Sequence, residues 1–403
     1  MNLLRLSVAY LRARPLNTIL NVLLLAMSVA VLTILLLASK QIEERLTRDA
    51  REISLVVGAK GSPLQLVLSA VFHLDVPPGN IKLADAAAIS TMQHVKRTVP
   101  LALGDTFRGF RIAGTTPDLL SVYGAKLSAG RTWQAPMEAV IGAEVAQRSG
   151  LAMGGQFSGT HGLAADGDAH DGMPYKVVGI VGFTGSVLDR LVLTSVESVW
   201  VVHMHLRPDE KPDEAINALT DDEKEITALL VQYGSPLGAV TLPRAINQKT
   251  NMQAASPAAE SARLFALFGV ALDVVRGFAI VLMLAAGLST FIALYNALEE
   301  RRYDLAVMRM LGASPGTLVR LVLMEGALLA VAGTLLGLLA GHFLAEIIGA
   351  WLALQRQPSI SGLTLLPAEG LIAGGAVLVG LVAAIVPAWR AYRRDVAHTL
   401  SNG

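Results

Sequence analysis

The sequence predicts a membrane protein that combines four transmembrane α-helices with a large α+β domain outside the membrane. Of its 403 residues, 53% are hydrophobic, and the mean hydropathy is +0.52. Such values arise when a chain contains long uninterrupted apolar segments. The net charge of +1 gives no sign of a nucleic-acid-binding surface. Because the chain has no cysteine, disulfides, thiol catalysis and cysteine-bound metals are excluded.

Four segments are long and apolar enough to cross a hydrocarbon core, which takes about 20 residues. The first is too long for the apolar region of a signal peptide, so we interpret it as a retained span. The predicted organisation is an amphipathic N-terminal segment 1–15, spans 16–38, 277–298, 317–344 and 370–389, a domain 39–275, a short helix 299–314, a loop 345–369 and a tail 390–403.

Arginines beside the spans predict an orientation, because short cytoplasmic flanks are rich in basic residues. Three flanks are rich in arginine, whereas the loop 345–369 carries only Arg356. Both termini and the segment 299–314 are therefore predicted to be cytoplasmic, and the domain 39–275 to lie on the other side. The arginines of the three flanks are Arg5, Arg12 and Arg14, then Arg301, Arg302, Arg309 and Arg320, and finally Arg390, Arg393 and Arg394.

The domain 39–275 has the pattern of an α+β fold with two subdomains. Runs rich in β-branched residues alternate with short helical runs and with Gly/Pro/Asp turns. The predicted strands are 53–58, 107–114, 175–182, 190–195 and 226–233, and the predicted helices are 63–72 and 83–92.

The second span is predicted to begin well before the membrane. Ser256 and Pro257 have the pattern of an N-cap followed by a proline at the first helical position. A helix over 257–298 would be about 63 Å long, twice the thickness of the hydrocarbon core. Helix-forming residues also follow the first span, over 39–53. We expect these two helices to form a stalk, the alternative being a break near Gly269 or Gly277.

The segment 299–314, "EERRYDLAVMRMLGAS", is a charged, amphipathic run between two spans. Gly312 is placed to end this helix, and Ser314 with Pro315 to start the next one. From the residues alone, two interpretations stay open: a helix at the membrane interface, or a cytoplasmic contact for a partner protein. The residues that share its apolar face with the end of the second span are Leu294, Leu298, Leu305 and Met308.

The stretch 300–341, "ERRYDLAVMRMLGASPGTLVRLVLMEGALLAVAGTLLGLLAG", resembles the signature region of MacB/FtsX-type ABC-transporter permeases. It has the Glu-Arg start, the acidic residue before an apolar pair, the "LGA" turn, and the Glu-Gly that opens a glycine-rich span. The tail "VPAWRAYRRDVAHTL" resembles the C-terminal end of that family. The segments 112–131, 138–157 and 175–200 resemble its periplasmic core domain.

The resemblance implies a dimer of four-span permeases, with itself or with a paralogue, in the inner membrane. Each periplasmic domain would have a porter-like and a smaller inserted subdomain. A coupling helix would receive the ATP-driven closure of a cytoplasmic ABC ATPase dimer and pass it through the stalk, a mechanism called mechanotransmission. The matching coupling residues are Glu300, Arg301, Asp304, Leu305, Arg309, Leu311 and Gly312.

The resemblance also implies a non-catalytic chain that binds no cofactor itself, ATP and magnesium being bound by the ATPase. MacB carries its ATPase on the same chain, but no G-x-x-x-x-G-K-[ST] motif occurs in this sequence. The ATPase is therefore expected to be a separate polypeptide, as in LolC/E-like arrangements. Further expected partners are a periplasmic adaptor, carrier or hydrolase, and membrane lipid.

The third span carries an acid and a stripe of glycines. Glu325 lies five residues after Arg320, and the family pattern has glutamate here, which favours a structural role in anchoring the coupling helix over proton transfer. Gly333, Gly337 and Gly341 recur every four residues. Such a stripe allows close helix packing, either at a dimer seam or within the chain.

Histidines and aspartates cluster in the segment 159–175, but their spacing fits neither an EF-hand loop nor H-E-x-x-H. The "HMH" run at 203–205 would place two histidines on one face of a strand. We interpret the segment as a solvated loop and predict no metal site and no catalytic residue. The clustered residues are His161, Asp166, Asp168, His170 and Asp171.

Together these patterns predict a permease subunit that couples ATP hydrolysis by a separate ATPase to movement of its periplasmic domain. The expected output is export or extraction of an amphipathic or lipid-like cargo. The alternative is an FtsX-like regulator that activates a periplasmic partner, such as a cell-wall hydrolase, without transport. A third hypothesis is a metal sensor that uses the His/Asp segment.

Overall fold

The structure, a computed structural model, describes residues 3–162, 173–203, 212–354 and 359–393. The chain divides into two compact units. The first, here called the helical unit, comprises Met1–Ile42 and Leu267–Gly403. The second, here called the sheet unit, is Glu43–Ala266.

Four helices are long and apolar enough to cross a membrane. In the list that follows, they are α2, α10, α12 and α13. The helices are α1 Leu3–Ala13, α2 Pro15–Asp49, α3 Pro63–Ala70, α4 Leu83–Ser90, α5 Asp118–Val122, α6 Ala143–Ser149, α7 Val196–His203, α8 Pro212–Ala218, α9 Gly238–Lys249, α10 Pro257–Glu300, α11 Arg302–Met310, α12 Pro315–Leu354 and α13 Glu369–Arg393.

The strands all lie in the sheet unit. They are β1 Leu55–Ala59, β2 Ile81–Lys82, β3 Val95–Phe107, β4 Phe110–Thr115, β5 Leu127–Gly130, β6 Glu138–Ile141, β7 Gln156–Phe157, β8 Thr160–His161, β9 Tyr175–Val181, β10 Leu191–Thr194, β11 Glu225–Ile226, β12 Ala228–Tyr233 and β13 Met252–Ala255.

One mixed sheet joins most of these strands, in the order β13-β1-β12-β3-β4-β10-β6-β9-β5. Strand β7 adds to β9, β8 adds to β3, and β2 pairs separately with β11. The β4–β10 and β6–β9 pairs are parallel. The sheet therefore runs without a break through the whole region in which the sequence predicts two subdomains.

Both faces of the sheet are covered along its central strands, which explains why β1 and β10 are apolar and buried at nearly every position. In β12, Leu230 lies in one core cluster, and Leu229 and Val231 lie in another on the opposite face. In β4, Ala113 and Ile112 divide between two clusters in the same way. Helices on both sides keep water from these strands.

Most predicted elements of the sheet unit are confirmed within a few residues, but 107–114 is wrong as a single strand. Arg108 and Gly109 have φ angles of 48° and 79°, and they form the turn between β3 and β4. The left-handed backbone of a glycine turn interrupts an otherwise strand-like run of residues. In the "HMH" run, His203 is wrong as a strand residue because it ends helix α7, and Met204 and His205 lie outside the described residues.

The two long helices that the sequence predicts are continuous. Helix α10 begins at Pro257 and extends over 44 residues, or about 66 Å, without a break at Gly269 or Gly277. Helix α2 continues past the apolar stretch to Asp49. Each of these helices contributes residues to both units.

Candidate coupling site

Helix α11 is a nine-residue helix that is fixed at both ends. At its end, the Gly312 N–H donates to the Arg309 carbonyl (3.1 Å) and the Ala313 N–H to the Met308 carbonyl (3.0 Å). Gly312 itself has a φ of 97°, so this is a Schellman ending that a residue with a side chain would strain. The Ser314 hydroxyl then accepts the Thr317 N–H at 3.3 Å, which caps α12.

The inner face of α11 is apolar and packs into the helical unit. Leu305 is 5% exposed, and Met308 packs against the same cluster. The predicted apolar face is therefore confirmed, and it fixes α11 by packing as well as by its caps. The buried members of this cluster are Leu294, Leu298, Leu305, Leu318, Leu321, Val322, Ala384, Ala388 and Ala391.

Arg301 joins three elements at the base of α11. Its Nη1 lies 2.9 Å from Glu325 Oε1 of α12, and both side chains are largely buried. Its Nη2 donates to the Tyr10 carbonyl of α1 at 3.3 Å, and the guanidinium lies 3.9 Å from the centre of the Tyr10 ring. This arrangement combines an ion pair with a cation–π contact. Arg301 thus holds α11 to α12 and to the amphipathic α1.

Tyr10 stays neutral in this arrangement. Burial, and then the nearby charge of Asp304, raise the pKa of its phenol above the usual value. The phenol therefore adds no negative charge to the region around Arg301. In the sequence Tyr10 gives no signal of this role beyond its place in an amphipathic segment.

The outer face of α11 is exposed and mixes charged with apolar groups. Tyr303 is 59% exposed, Met310 63% and Leu311 83%, and Asp304 is exposed as well. Glu300 forms an ion pair with Arg14 at the start of this region. Such a surface of large apolar side chains beside one acid is typical of a contact with another protein.

The predicted coupling residues therefore differ in their exposure and in their ion pairs. Asp304, Leu311 and Gly312 are exposed, whereas Leu305 is buried and Arg301 pairs with Glu325. Glu300 is exposed and paired with Arg14, and Arg309 is half-buried.

The glycine stripe of α12 packs within the chain. A Cβ atom on Gly337 would lie 2.6 Å from the Ala26 carbonyl oxygen and from Val29 Cβ of α2. Gly333 approaches Leu25, and Gly341 approaches Thr33, in the same helix. The stripe was predicted to lie either at a dimer seam or within the chain. It forms a contact between α12 and α2 within the chain, and this contact leaves no room there for a second copy.

Comparison with known proteins agrees with this architecture. Residues 18–222 match the family described as MacB-like periplasmic core domain, and residues 276–396 match FtsX-like permease C-terminal. The first match alone covers half of the chain. The chain belongs to the MacB/FtsX-type permease family. This is a family of ABC-transporter permeases, as the sequence predicts.

Two relatives within this permease family are the LolC proteins, lipoprotein-releasing system transmembrane proteins, of two Xylella fastidiosa strains, 9a5c and Temecula1. Each is 28% identical over 143 residues, which is 31% of this chain and 34% of the relative. The match thus spans about a third of the length of these curated relatives.

Two solved structures resemble this chain with low sequence identity and low TM-scores. The periplasmic region of MacB from Actinobacillus actinomycetemcomitans is 12% identical, with a TM-score of 0.33, and the match covers 53% of this permease and 95% of that chain. The extracellular domain of the transporter YknZ from Gram-positive bacteria is 13% identical, with a TM-score of 0.31, covering 50% and 98%.

The His/Asp segment of this permease contributes little to the described structure. His161 is in β8, while Asp166, Asp168, His170 and Asp171 lie outside the described residues. Among the side chains that the structure describes, no group of three histidine, aspartate or glutamate residues converges as a metal site. The sequence did not indicate, however, that Asp105 of β3 lies beside His203.

Proposed function

We propose that this chain is the permease subunit of an ABC transporter and that α11 transmits the movement of a separate cytoplasmic ATPase. The observation that carries the proposal is the contrast between the two faces of α11. Its base is joined to α1 and α12 through Arg301, and Leu305 fixes its inner face. Its outer face remains exposed at Tyr303, Met310 and Leu311.

A partner that displaces α11 would displace the long helices with it. Helix α11 follows α10 with only Arg301 between them, and α12 begins five residues after Met310. Helices α10 and α2 continue without a break into residues of the sheet unit. A continuous helix transmits displacement along its axis, whereas a flexible linker would absorb it. These features support mechanotransmission to the sheet unit.

The proposed orientation puts α11 and both termini in the cytoplasm and the sheet unit in the periplasm of the inner membrane. The arginine-rich flanks support it. The proposed cargo is amphipathic or lipid-like, which the likeness to lipoprotein-releasing proteins supports. A second permease subunit, identical or paralogous, would complete the transporter. It would meet surfaces other than the glycine stripe of α12.

The coupling role can be tested with a matched pair of variants. Leu311, after α11, and Leu363, between α12 and α13, are 83% and 84% exposed. Leu311→Asp should weaken capture of the co-purifying ABC ATPase about tenfold or more, because a central apolar contact contributes at least about 1.4 kcal/mol. Leu363→Asp should leave capture and ATP hydrolysis unchanged.

Co-purification from membranes, followed by measurement of stimulated ATP hydrolysis, gives both readouts. If no ABC ATPase co-purifies with the wild-type chain, or if the two aspartate variants behave alike, the coupling proposal is wrong. Asp304→Arg adds a charge test on the same face of α11, and loss of stimulation there would support the same contact.

The cargo needs a separate experiment on the sheet unit of the full chain. Phe183 is 83% exposed, which makes it a suitable position for a photo-crosslinking amino acid. Crosslinks to lipoprotein or lipid during ATP turnover would support extraction of a lipid-like cargo. Crosslinks to a cell-wall hydrolase or its adaptor would instead support the regulatory alternative.

A further inference from the structure

The last turns of α2 are attached to the sheet by side chains as well as by the chain itself. Residues 43–49 of α2 belong to the sheet unit, and the chain turns after Asp49 to enter β1 at Leu55. A helix that is joined to a sheet through one short stretch of chain can swing about that stretch. Contacts with a second part of the sheet prevent such a swing, and α2 makes them at its last two residues.

Arg48 and Asp49 both bond the loop between β9 and β10. Arg48 Nη1 donates to the Gly185 carbonyl at 2.8 Å, and Asp49 Oδ1 accepts the Val187 N–H at 2.9 Å. Asp49 is only 3% exposed, so this hydrogen bond to its side chain is shielded from water. One residue thus provides a donor, and the next provides an acceptor, to backbone groups two residues apart.

Gly185 allows the close approach of Arg48. Its φ of 68° is a left-handed conformation, which glycine adopts without strain. A Cβ atom on Gly185 would lie 2.8 Å from Arg48 Nη1. A larger residue would therefore meet both backbone strain and the guanidinium of Arg48.

The loop is held firmly by its own contacts. Asp189 is 3% exposed, and its Oδ1 accepts the N–H and the hydroxyl of Thr184 at 2.9 and 2.8 Å. Its Oδ2 accepts the Gly185 N–H at 2.7 Å. Val187 and Leu188 are buried in a core cluster of the sheet unit. The loop is therefore a firm support for the end of α2.

The two attachments reach well-separated strands. In the order β13-β1-β12-β3-β4-β10-β6-β9-β5, β1 lies next to one edge, whereas β10 and β9 lie toward the other. The chain connects α2 to β1, while Arg48 and Asp49 connect it to the loop between β9 and β10. Two separated points of attachment define the direction of a helix, which a single point would leave free.

Packing surrounds this joint on one side only. Leu46 and Ala50 pack against a core cluster of the sheet unit. Another side of the joint borders a cavity of about 370 Å³, whose lining includes Arg48, Tyr123 and Ser186. Side chains beside a cavity lack the close neighbours that restrain a packed interior. The two hydrogen bonds therefore supply a restraint that packing does not.

We propose that Arg48 and Asp49 are positioning residues that make the joint between α2 and the sheet rigid, so that both move as one body. This role rests on the proposed function, in which α2 carries the movement of the ATPase. The rigidity of the joint belongs to the chain itself and is measured without the ATPase. Absence of a co-purifying ATPase would therefore contradict the proposed function and leave the measured rigidity as it is.

The test is a pair of distance measurements by electron paramagnetic resonance on the full chain in nanodiscs. The chain has no cysteine, so introduced cysteines carry the only spin labels. One pair joins α2 to the sheet unit, with Glu44→Cys and Gln147→Cys of α6. The reference pair lies within the sheet unit, with Gln147→Cys and Gln248→Cys of α9. All three positions are exposed.

In the wild type both distances should be narrow. Arg48→Ala with Asp49→Ala should replace the narrow distance between α2 and α6 with a broad distribution and leave the reference distance narrow. Asp49→Asn keeps an acceptor for the Val187 N–H and should retain the narrow distance. Arg51→Ala is the matched control, since Arg51 lines the same cavity and makes no bond to the loop among the described contacts.

Hydrogen exchange gives a second readout on the unlabelled chain. In Asp49→Ala the amides of 184–190 should exchange about fivefold faster, because one net hydrogen bond is lost there. A broad distance between α2 and α6 in the wild type, or a narrow one in the double alanine variant, would overturn the proposal. Broadening of the reference pair as well would show general loss of structure, and an equal effect of Arg51→Ala would show loss of charge. Either result would also overturn it.

Discussion

The helical unit fixes the two ends of α12 in different ways. Near the α11 end, the contacts centre on Arg301, which pairs with Glu325, stacks on Tyr10 and donates to the Tyr10 carbonyl. At the other end, side chains hold the backbone of the loop before α13. Glu346 accepts the Gly362 N–H at 2.7 Å, and Gln41 bonds both the N–H and the carbonyl of Ser361.

His342 and Glu369 complete the contacts at the loop end. The His342 ring lies 2.5 Å from the Gly362 carbonyl and 3.0 Å from the Glu369 carboxylate. A Cβ on Gly362 would lie 2.0 Å from the His342 carbonyl, so the loop follows α12 at the closest approach that glycine allows. The loop end of α12 therefore closes a tight turn, whereas the other end holds a short helix, α11, whose outer face is exposed.

The largest expected effect comes from removing the arginine at the α11 end. Arg301→Met leaves Glu325, 3% exposed, without its cation, and breaking such a buried pair costs about 3–5 kcal/mol. We expect a large loss of thermal stability in nanodiscs. The exposed neighbour Arg302→Met should change little.

A second substitution sharpens this prediction. In Arg301→Met/Glu325→Leu the uncompensated carboxylate is gone, so most of the stability should return. If the double variant is as unstable as Arg301→Met alone, then packing on Tyr10 holds this end and the ion pair does not.

The next prediction concerns the packing of α12 on α2, which lies between the two ends of α12. Gly337→Ala places a Cβ 2.6 Å from atoms of α2, whereas Gly374 of α13 has nothing within 4 Å of the same position. Gly337→Ala should lower the free energy of unfolding by about 1–3 kcal/mol through overpacking. Gly374→Ala should not lower it in the same denaturant titration, because alanine favours the helix and meets no neighbour there. A similar loss in both variants would contradict the close packing of Gly337 on α2.

A smaller effect is expected at the loop end. His342→Leu removes the contacts with Gly362 and Glu369 and should cost about 1–3 kcal/mol locally. Hydrogen exchange should rise over 359–368 and stay unchanged in α11. The neighbouring Phe343→Leu, at a position 67% exposed, is the control. Equal exchange changes at both ends would show that the ends are not anchored independently.

The smallest effect concerns the exposed ion pair at the α11 end. Glu300 is 64% exposed, and surface pairs contribute about 0–1 kcal/mol. Arg14→Gln should therefore leave the unfolding midpoint nearly unchanged. A destabilisation as large as that of Arg301→Met would mean that α1 is held chiefly by Arg14, and the central role given to Arg301 would be wrong.

The coupling segment shows how far sequence reasoning reached. The apolar face with Leu294, Leu298 and Leu305 was predictable, because helix periodicity is local. The sequence did not predict which of the charged residues are buried and which are exposed. Arg301 and Arg302 are neighbours of the same type, yet one is in a buried ion pair and the other is exposed. Their different surroundings depend on α1 and α12, which are distant in sequence.

By itself, the sequence determined the four apolar helices and the points where α10 and α12 begin. It did not determine the end of α12, which runs to Leu354 into the predicted loop 345–369. Length, apolar runs, Ser-Pro starts at Pro257 and Pro315 and the glycine ending at Gly312 act within a few residues. Only the tertiary structure decided that Glu325 meets Arg301, that Gly337 meets α2, and that Asp105 meets His203. These contacts join residues far apart in the chain, so their geometry depends on how the elements pack together.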